Sequence, residues 1–161
     1  MKSRTPRVLA ISSRGGHWTQ LRRLRSAFTG CDVTWASTDA GLATEVLPDR
    51  FVLIPEASRW DRLRLAWSVL CVLWLVVRLR PHAIVSTGAA PGFFALRFGR
   101  IVGARTLWLD SFANAEEMSL SGRNAAKFAD LALTQWAHLG AELPPAADRR
   151  KGAAYHAGAV V

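Results

Sequence analysis

The chain has 161 residues, 50% of them apolar and 20% charged, a composition that supports one folded domain with a core and excludes a disordered segment. Its 21 Lys and Arg against 12 Asp and Glu leave a formal charge of +9, which draws it toward polyanions: nucleic acid, anionic lipid or phosphorylated substrates. The two cysteines, Cys31 and Cys71, have no metal-ligand spacing and form no disulfide framework, and the basic N-terminus runs into a short apolar strand with no h-region, so neither a signal peptide nor an N-terminal anchor is read there.

In chain order, Arg7–Ser12 reads as a buried strand, followed directly by Gly15-Gly16-His17. From Trp18 the positions Leu21, Leu24 and Phe28 carry helical spacing, with Gly30 as a stop. Asp32–Ala36 is a second strand, Asp39–Leu47 a short helix ended by Pro48, and Phe51–Ile54 a third strand. A long helix begins near Asp61 and reaches Arg80, where Pro81 stops it. His82–Ser86 is a fourth strand, Thr87–Gly92 a loop, and Phe93–Val102 a helix. Arg105–Leu109 is a fifth strand, Gly122–Phe128 a helix and Asp130–Thr134 a sixth strand. Residues 136–161 carry no firm assignment, although Ala157–Val161 reads as the start of one more strand.

This alternation predicts one α/β domain over residues 1–161, with its core at about 7–135: a Rossmann-like parallel sheet with helices on both faces. In such sheets ligands sit beyond the carboxyl ends of the strands. That rule selects Ser13–His17, Thr87–Gly92 and Asp110–Gly122. In the first loop, Gly15 and Gly16 let backbone approach a ligand, free N–H groups at a helix start favour phosphate, and Arg14 adds charge. His17 at the lip offers a general base or a hydrogen-bond donor. The blander alternative is a packing turn. Ser86, Thr87 and Gly88 repeat the design, and together the two loops predict a diphosphate site. In the third loop, Asp110 and Ser111 stand at the strand end with Asn114 close behind, where carboxylate and amide groups suit sugar hydroxyls or proton transfer.

Leu65–Val77 is an uncharged run flanked by Arg62, Arg64, Arg78 and Arg80. At about 1.5 Å per residue it spans roughly 20 Å, short of a bilayer core of roughly 30 Å. One face carries Leu65, Val69, Val72 and Val76, suited to packing on the sheet. The other carries Trp60, Trp67, Trp74 and Cys71, with Arg64 and Arg78 at its ends, a pattern suited to lipid headgroups or to another protein surface. An anionic membrane surface accounts for the net charge without nucleic acid.

Ser13-Arg14-Gly15-Gly16-His17-Trp18-Thr19-Gln20-Leu21, Val85-Ser86-Thr87-Gly88-Ala89-Ala90-Pro91-Gly92, and Asp110-Ser111 with Ser119-Leu120-Ser121-Gly122 resemble bacterial polysaccharide-biosynthesis proteins of the PssD type. These are similar to the membrane-anchoring subunit of the eukaryotic enzyme that adds the second N-acetylglucosamine to dolichol diphosphate. The resemblance runs over roughly Val8 to Thr134. It implies the acceptor-binding half of a heteromeric GT-B glycosyltransferase, of which MurG-type enzymes carry both halves in one chain. A separate donor-binding subunit is then expected to hold a UDP-sugar, and this chain to hold a polyprenyl-diphosphate-linked saccharide, inactive without its partner. By the same resemblance Arg14, Gly15, Gly16, Ser86, Thr87 and Gly88 hold the diphosphate, and Ser111 and Asn114 meet the acceptor sugar. His17 orients the acceptor or acts as base, and Asp110 contacts it or assists. No metal or cofactor is implied, and the expected location is peripheral, on the cytoplasmic face of the inner membrane. Two departures stand out: many relatives have Glu at the position of Asp110, and several carry an N-terminal transmembrane helix.

A non-catalytic membrane scaffold for the transferase subunit fits the same fold and helix. A nicotinamide-dependent oxidoreductase fits less well, because the glycine fingerprint is incomplete and no acidic residue closes the second strand. No RNA-binding aromatic motif accompanies the scattered arginines.

Overall fold

The computed structural model describes residues 5–56, 61–145, 148–149 and 151–160. Among them the chain runs β1 (Arg7–Ile11), α1 (Gly16–Arg23), a 3-10 turn at Leu24–Phe28, β2 (Asp32–Ser37), a 3-10 stretch at Ala40–Val46, β3 (Arg50–Leu53), α2 (Arg62–Leu79), β4 (Ala83–Ser86), α3 (Ala89–Gly99), β5 (Arg105–Leu109), α4 (Leu120–Ala126), β6 (Leu131–Thr134), a turn at Ala137–Leu139, β7 (Ala141–Glu142) and β8 (Tyr155–His156). The strands form one sheet in the order β3-β2-β1-β4-β5-β6-β8-β7, and every neighbouring pair is parallel. The sheet therefore winds outward in both directions from β1 and β4, and the chain reverses its winding between them. That gap is the topological switch point.

Alternation along the strands places Leu9 and Ile11 of β1 and Ile84 of β4 on one face, packed under α2, α3 and α4 with Trp108. Val8, Ala10 and Val85 point to the other face, under α1, with Trp18, Trp35 and Val46. On that second face Trp35 meets Trp18 and Phe28 edge-on at 5.8 Å, and Trp18 meets Phe51 at 5.9 Å. Trp18 and Trp35 are fully buried, so each indole N–H needs an acceptor: Trp18 donates to Glu45 (2.9 Å) and Trp35 to Asp49 (3.1 Å).

Four sequence expectations change. The segment expected as a helix at Asp39–Leu47 is a 3-10 stretch, begun by the Asp39 carboxylate accepting from the Gly41 amide. Helix α3 starts four residues early, at Ala89, so four of the six residues of the expected Thr87–Gly92 loop form its first turn. The last strands are Ala141–Glu142 and Tyr155–His156 and not Ala157–Val161, with buried Tyr155 extending the sheet beside β6. Helix α2 keeps its predicted limits, with Asp61 capping the Arg64 amide and Arg80 closing it at φ 45°, but its buried face differs. Ser68, Val72, Leu75 and Val76 face the sheet, while Leu65 and Val69 are only half-buried. The buried stripe is turned toward Ser68, and α2 makes its close backbone approach to α3.

This assignment of faces is checked by urea unfolding. Leu96→Ala in the α3 core is expected to lose about 2–5 kcal/mol, whereas Trp67→Ser on the outer face of α2 shifts stability by no more than about 0.5 kcal/mol.

Candidate functional site

At the switch point two strand-to-helix turns meet. Gly15, at φ 79°, is the N-cap of α1, and its carbonyl accepts from the Thr19 amide at 3.1 Å. Gly88, at φ 149°, is the N-cap of α3. Neither turn has a side-chain cap or an acidic residue in its first turn. The first amides of a helix have no intrahelical acceptor, so both turns present N–H groups and the positive end of a helix dipole to the same crevice.

The two turns are locked together by His17. Its Nδ1 lies 2.9 Å from the Thr87 carbonyl, and the Thr87 hydroxyl donates to the His17 carbonyl at 2.6 Å. A carbonyl only accepts, so Nδ1 carries the proton and the lone pair is on Nε2. The ring rests on Gly88, where an added Cβ would fall 2.2 Å from Nδ1. Beneath it, the buried Ser86 hydroxyl accepts from the Gly88 amide (3.2 Å) and touches the Gly88 carbonyl (3.5 Å). A Cβ on Gly92 would meet that hydroxyl at 1.8 Å. The side chains of Ser86 and Thr87 thus shape the turn, and the groups that remain for a ligand here are backbone amides. Arg14 is exposed and paired with Glu56 at 3.3 Å, both side chains 60% exposed, a weak tether that leaves the guanidinium available.

Asp110 was expected near the chemistry, and the structure turns it inward. It is buried, and its two oxygens accept from the Trp108 indole (3.1 Å), the Asn114 amide side chain (3.1 Å), the Ser119 amide (2.8 Å) and the Ser119 hydroxyl (2.6 Å). Four donors fill the roughly four acceptor positions of a carboxylate. Ser119 also caps α4 by accepting from the Gly122 amide, and a Cβ on Gly122 would lie 2.5 Å from the Asp110 Oδ1. In this arrangement Asp110 is the post around which residues 111–119 fold, and the Asn114 side chain serves it. These bonds commit Asp110 to the loop that follows β5.

Ser111 is brought to the first loop: its Oγ accepts from Gln20 (3.4 Å) and from the Ala113 amide (3.3 Å). Gln135, absent from the sequence-based site, joins them. Its amide nitrogen donates to the Gln20 side chain (3.1 Å) and to the Asp110 carbonyl (2.9 Å), and its oxygen accepts from the Val160 amide (2.8 Å). A polar residue immediately after an apolar strand was the one available signal for it. The tie to Val160 spans 25 residues and leaves no local pattern.

On the outer face of α2, Trp67 and Trp74 are 61% and 62% exposed, with Leu63, Leu70 and Val77 beside them. Trp67, Leu70, Trp74, Val77 and Arg78, together with Leu53 of β3, line an apolar groove of about 990 Å³. The Arg78 guanidinium lies 5.5 Å from the Trp74 ring centre, and Arg64 is exposed at the other end, paired with Asp61. Trp60, also expected on this face, lies outside the described residues. No helix among the described residues is long and apolar enough to cross a membrane. Among the same residues no cluster of three or more His, Cys, Asp and Glu is placed to hold a metal ion.

No family model matches the chain. A curated relative, the UDP-N-acetylglucosamine transferase subunit ALG14 of Yarrowia lipolytica, is 35% identical over 78 residues, 45% of this chain and 36% of that protein. The chain therefore spans about a third of the length of that relative. Among solved structures, MurG of Acinetobacter baumannii superposes with a TM-score of 0.67 at 11% identity, over 94% of this chain and 45% of that one. A glycosyltransferase from Rickettsia africae gives 0.60 at 8% identity, over 83% of this chain and 37% of that one. A UDP-N-acetylglucosamine 2-epimerase gives 0.61 at 11% identity, over 82% and 42%. The fold is the Rossmann-like parallel α/β fold of one half of a GT-B glycosyltransferase. Because an epimerase shares it, the reaction has to be argued from the site.

Gly88→Ala tests the central contact. The added methyl displaces the imidazole, and the Nδ1-protonated tautomer of His17, read by nitrogen-15 NMR of the ring, is expected to give way to a mixture of tautomers.

Proposed function

We propose that this chain is the acceptor-binding, membrane-associating subunit of a two-component inverting glycosyltransferase, which moves a sugar from a UDP-sugar to a polyprenyl-diphosphate-linked saccharide. The observation that carries this reading is the His17 ring, held by the Thr87 carbonyl so that Nε2 is a free acceptor, between two uncapped helix starts in the fold of one GT-B half.

The acceptor diphosphate binds the backbone amides at Gly15 and Gly16 and those of Ala89 and Ala90 that follow Gly88 at the start of α3, with Arg14 swinging from Glu56 to add charge. The hydroxyl of the acceptor sugar then lies near Nε2. As that oxygen attacks the anomeric carbon of the donor, its proton passes to Nε2, the bond from the anomeric carbon to the diphosphate oxygen breaks, and UDP leaves with the electron pair. Attack opposite the leaving group inverts the anomeric centre. The Thr87 carbonyl stabilises the imidazolium through Nδ1–H. Asp110 acts as a positioning residue, holding Ser111 and the loop behind it. No metal or cofactor enters these steps.

The donor belongs to a second chain. The naming of the curated relative as a subunit supports that division. Attachment is peripheral, on the cytoplasmic face of the inner membrane. Trp67 and Trp74 supply amphipathic rings at headgroup depth, and Arg64 and Arg78 meet lipid phosphate.

Transfer from radiolabelled UDP-sugars to membrane lipid extract, with the donor-binding chain co-expressed, tests the chemistry. His17→Ala is expected to lower transfer by about 10²–10⁴-fold. Activity that needs both chains but survives the substitution supports a non-catalytic scaffold that recruits and activates the transferase. No lipid-linked product with any donor overturns the assignment. Membrane attachment has its own readout: the Trp67→Ser, Trp74→Ser double variant is expected to stay in the supernatant when wild type co-sediments with vesicles containing phosphatidylglycerol.

A further inference from the structure

The three-residue step from Asp110 to Phe112 ends in an exposed aromatic ring at the same sheet edge as His17. Phe112 is 38% exposed, whereas Leu109 and Met118 on either side of the loop are buried. The ring is backed by Trp136, stacked at 4.6 Å between centroids and 28° between planes. The Trp136 indole donates to the Phe112 carbonyl at 2.8 Å, and His138 Nε2 donates to the Ala115 carbonyl at 2.7 Å. Both ends of the 112–115 segment are therefore pinned to the turn that follows β6. A ring held in this way loses little freedom when something stacks on it.

Its surroundings favour a sugar over a purely apolar group. Ser111, the preceding residue, is more than nine-tenths buried and accepts two hydrogen bonds, and no acceptor for its own O–H is found among the described residues. An apolar ring beside a hydroxyl with a proton to give matches a pyranose, which has a C–H face and a hydroxyl edge. The location agrees. β5 lies beside β4 in the sheet, about 5 Å away, so the residues that leave its carboxyl end open on the same edge as the switch point. A ring attached to a diphosphate in the crevice has that distance to cover.

We propose that Phe112, stacked on Trp136, is the platform for the pyranose ring of the acceptor. This rests on the acceptor-binding reading above and adds the group that recognises the sugar as distinct from the diphosphate.

Titration calorimetry of the full chain with two water-soluble probes separates these claims: geranyl diphosphate, and geranyl diphosphate carrying N-acetylglucosamine. Wild type and Phe112→Tyr are expected to bind the sugar-bearing probe about tenfold more tightly than the bare one. Phe112→Ala, with an unchanged melting curve, is expected to bind both alike, at the affinity of wild type for the bare probe. A Phe112→Ala variant that keeps the preference, or that loses affinity for both probes, overturns the platform. Equal binding of the two probes by wild type overturns it while leaving the diphosphate site standing. Binding of neither probe by wild type overturns the acceptor reading and the platform with it. Loss of assembly with the donor-binding chain, with sugar preference intact, makes Phe112 a protein contact instead.

Discussion

The imidazole of His17 lies flat enough on the Gly88 backbone that no side chain fits between them, and the rest of the site is arranged around that contact. Two parallel strands wound in opposite directions leave a gap at their carboxyl ends, and the turns leaving β1 and β4 must cross it toward opposite faces of the sheet. The reciprocal bonds between His17 and Thr87 close the gap at its base. They also set the tautomer of the ring. The partner that fixes the ring is a backbone carbonyl and not a second charged side chain.

The same economy is visible around Asp110. A buried carboxylate with no ion-pair partner among the described residues is costly unless hydrogen bonds replace water, and four donors do so here. Three of them come from residues 114–119, so the charge organises its own loop. That loop carries Ser111 and Phe112 to the mouth of the crevice, and Gln135 binds it to α1 and to the C-terminal segment. One inward-facing carboxylate thereby connects packing in the core to the shape of the outer surface.

Helix α2 has a different constraint. Its inner stripe, Ser68, Val72, Leu75 and Val76, is enough to hold it on the sheet, so the tryptophans outside contribute little to folding. Apolar area of that kind left in water is a standing cost that a contact surface recovers. The groove they form with β3 lies on the same face as α3, whose first turn carries Gly88.

Local pattern alone determined the first six strands, the limits of α2 and where the three connections leave the carboxyl edge. Short apolar runs, Pro81, and glycines after strands are signals that neighbouring residues complete among themselves. The sequence likewise singled out His17 and Gly88, but as two separate motifs. Only the tertiary structure placed one upon the other across 70 residues and so settled which imidazole nitrogen is free. The hydrogen-bond partners of Asp110, Asn114 and Gln135 were also decided there. A carboxylate at a strand end looks the same in sequence whether it faces a substrate or the core, and its direction follows from donors nine residues away and from the missing side chain of Gly122. The buried face of α2, which includes Ser68, was set by packing beside α3, a contact that hydrophobicity along α2 does not show.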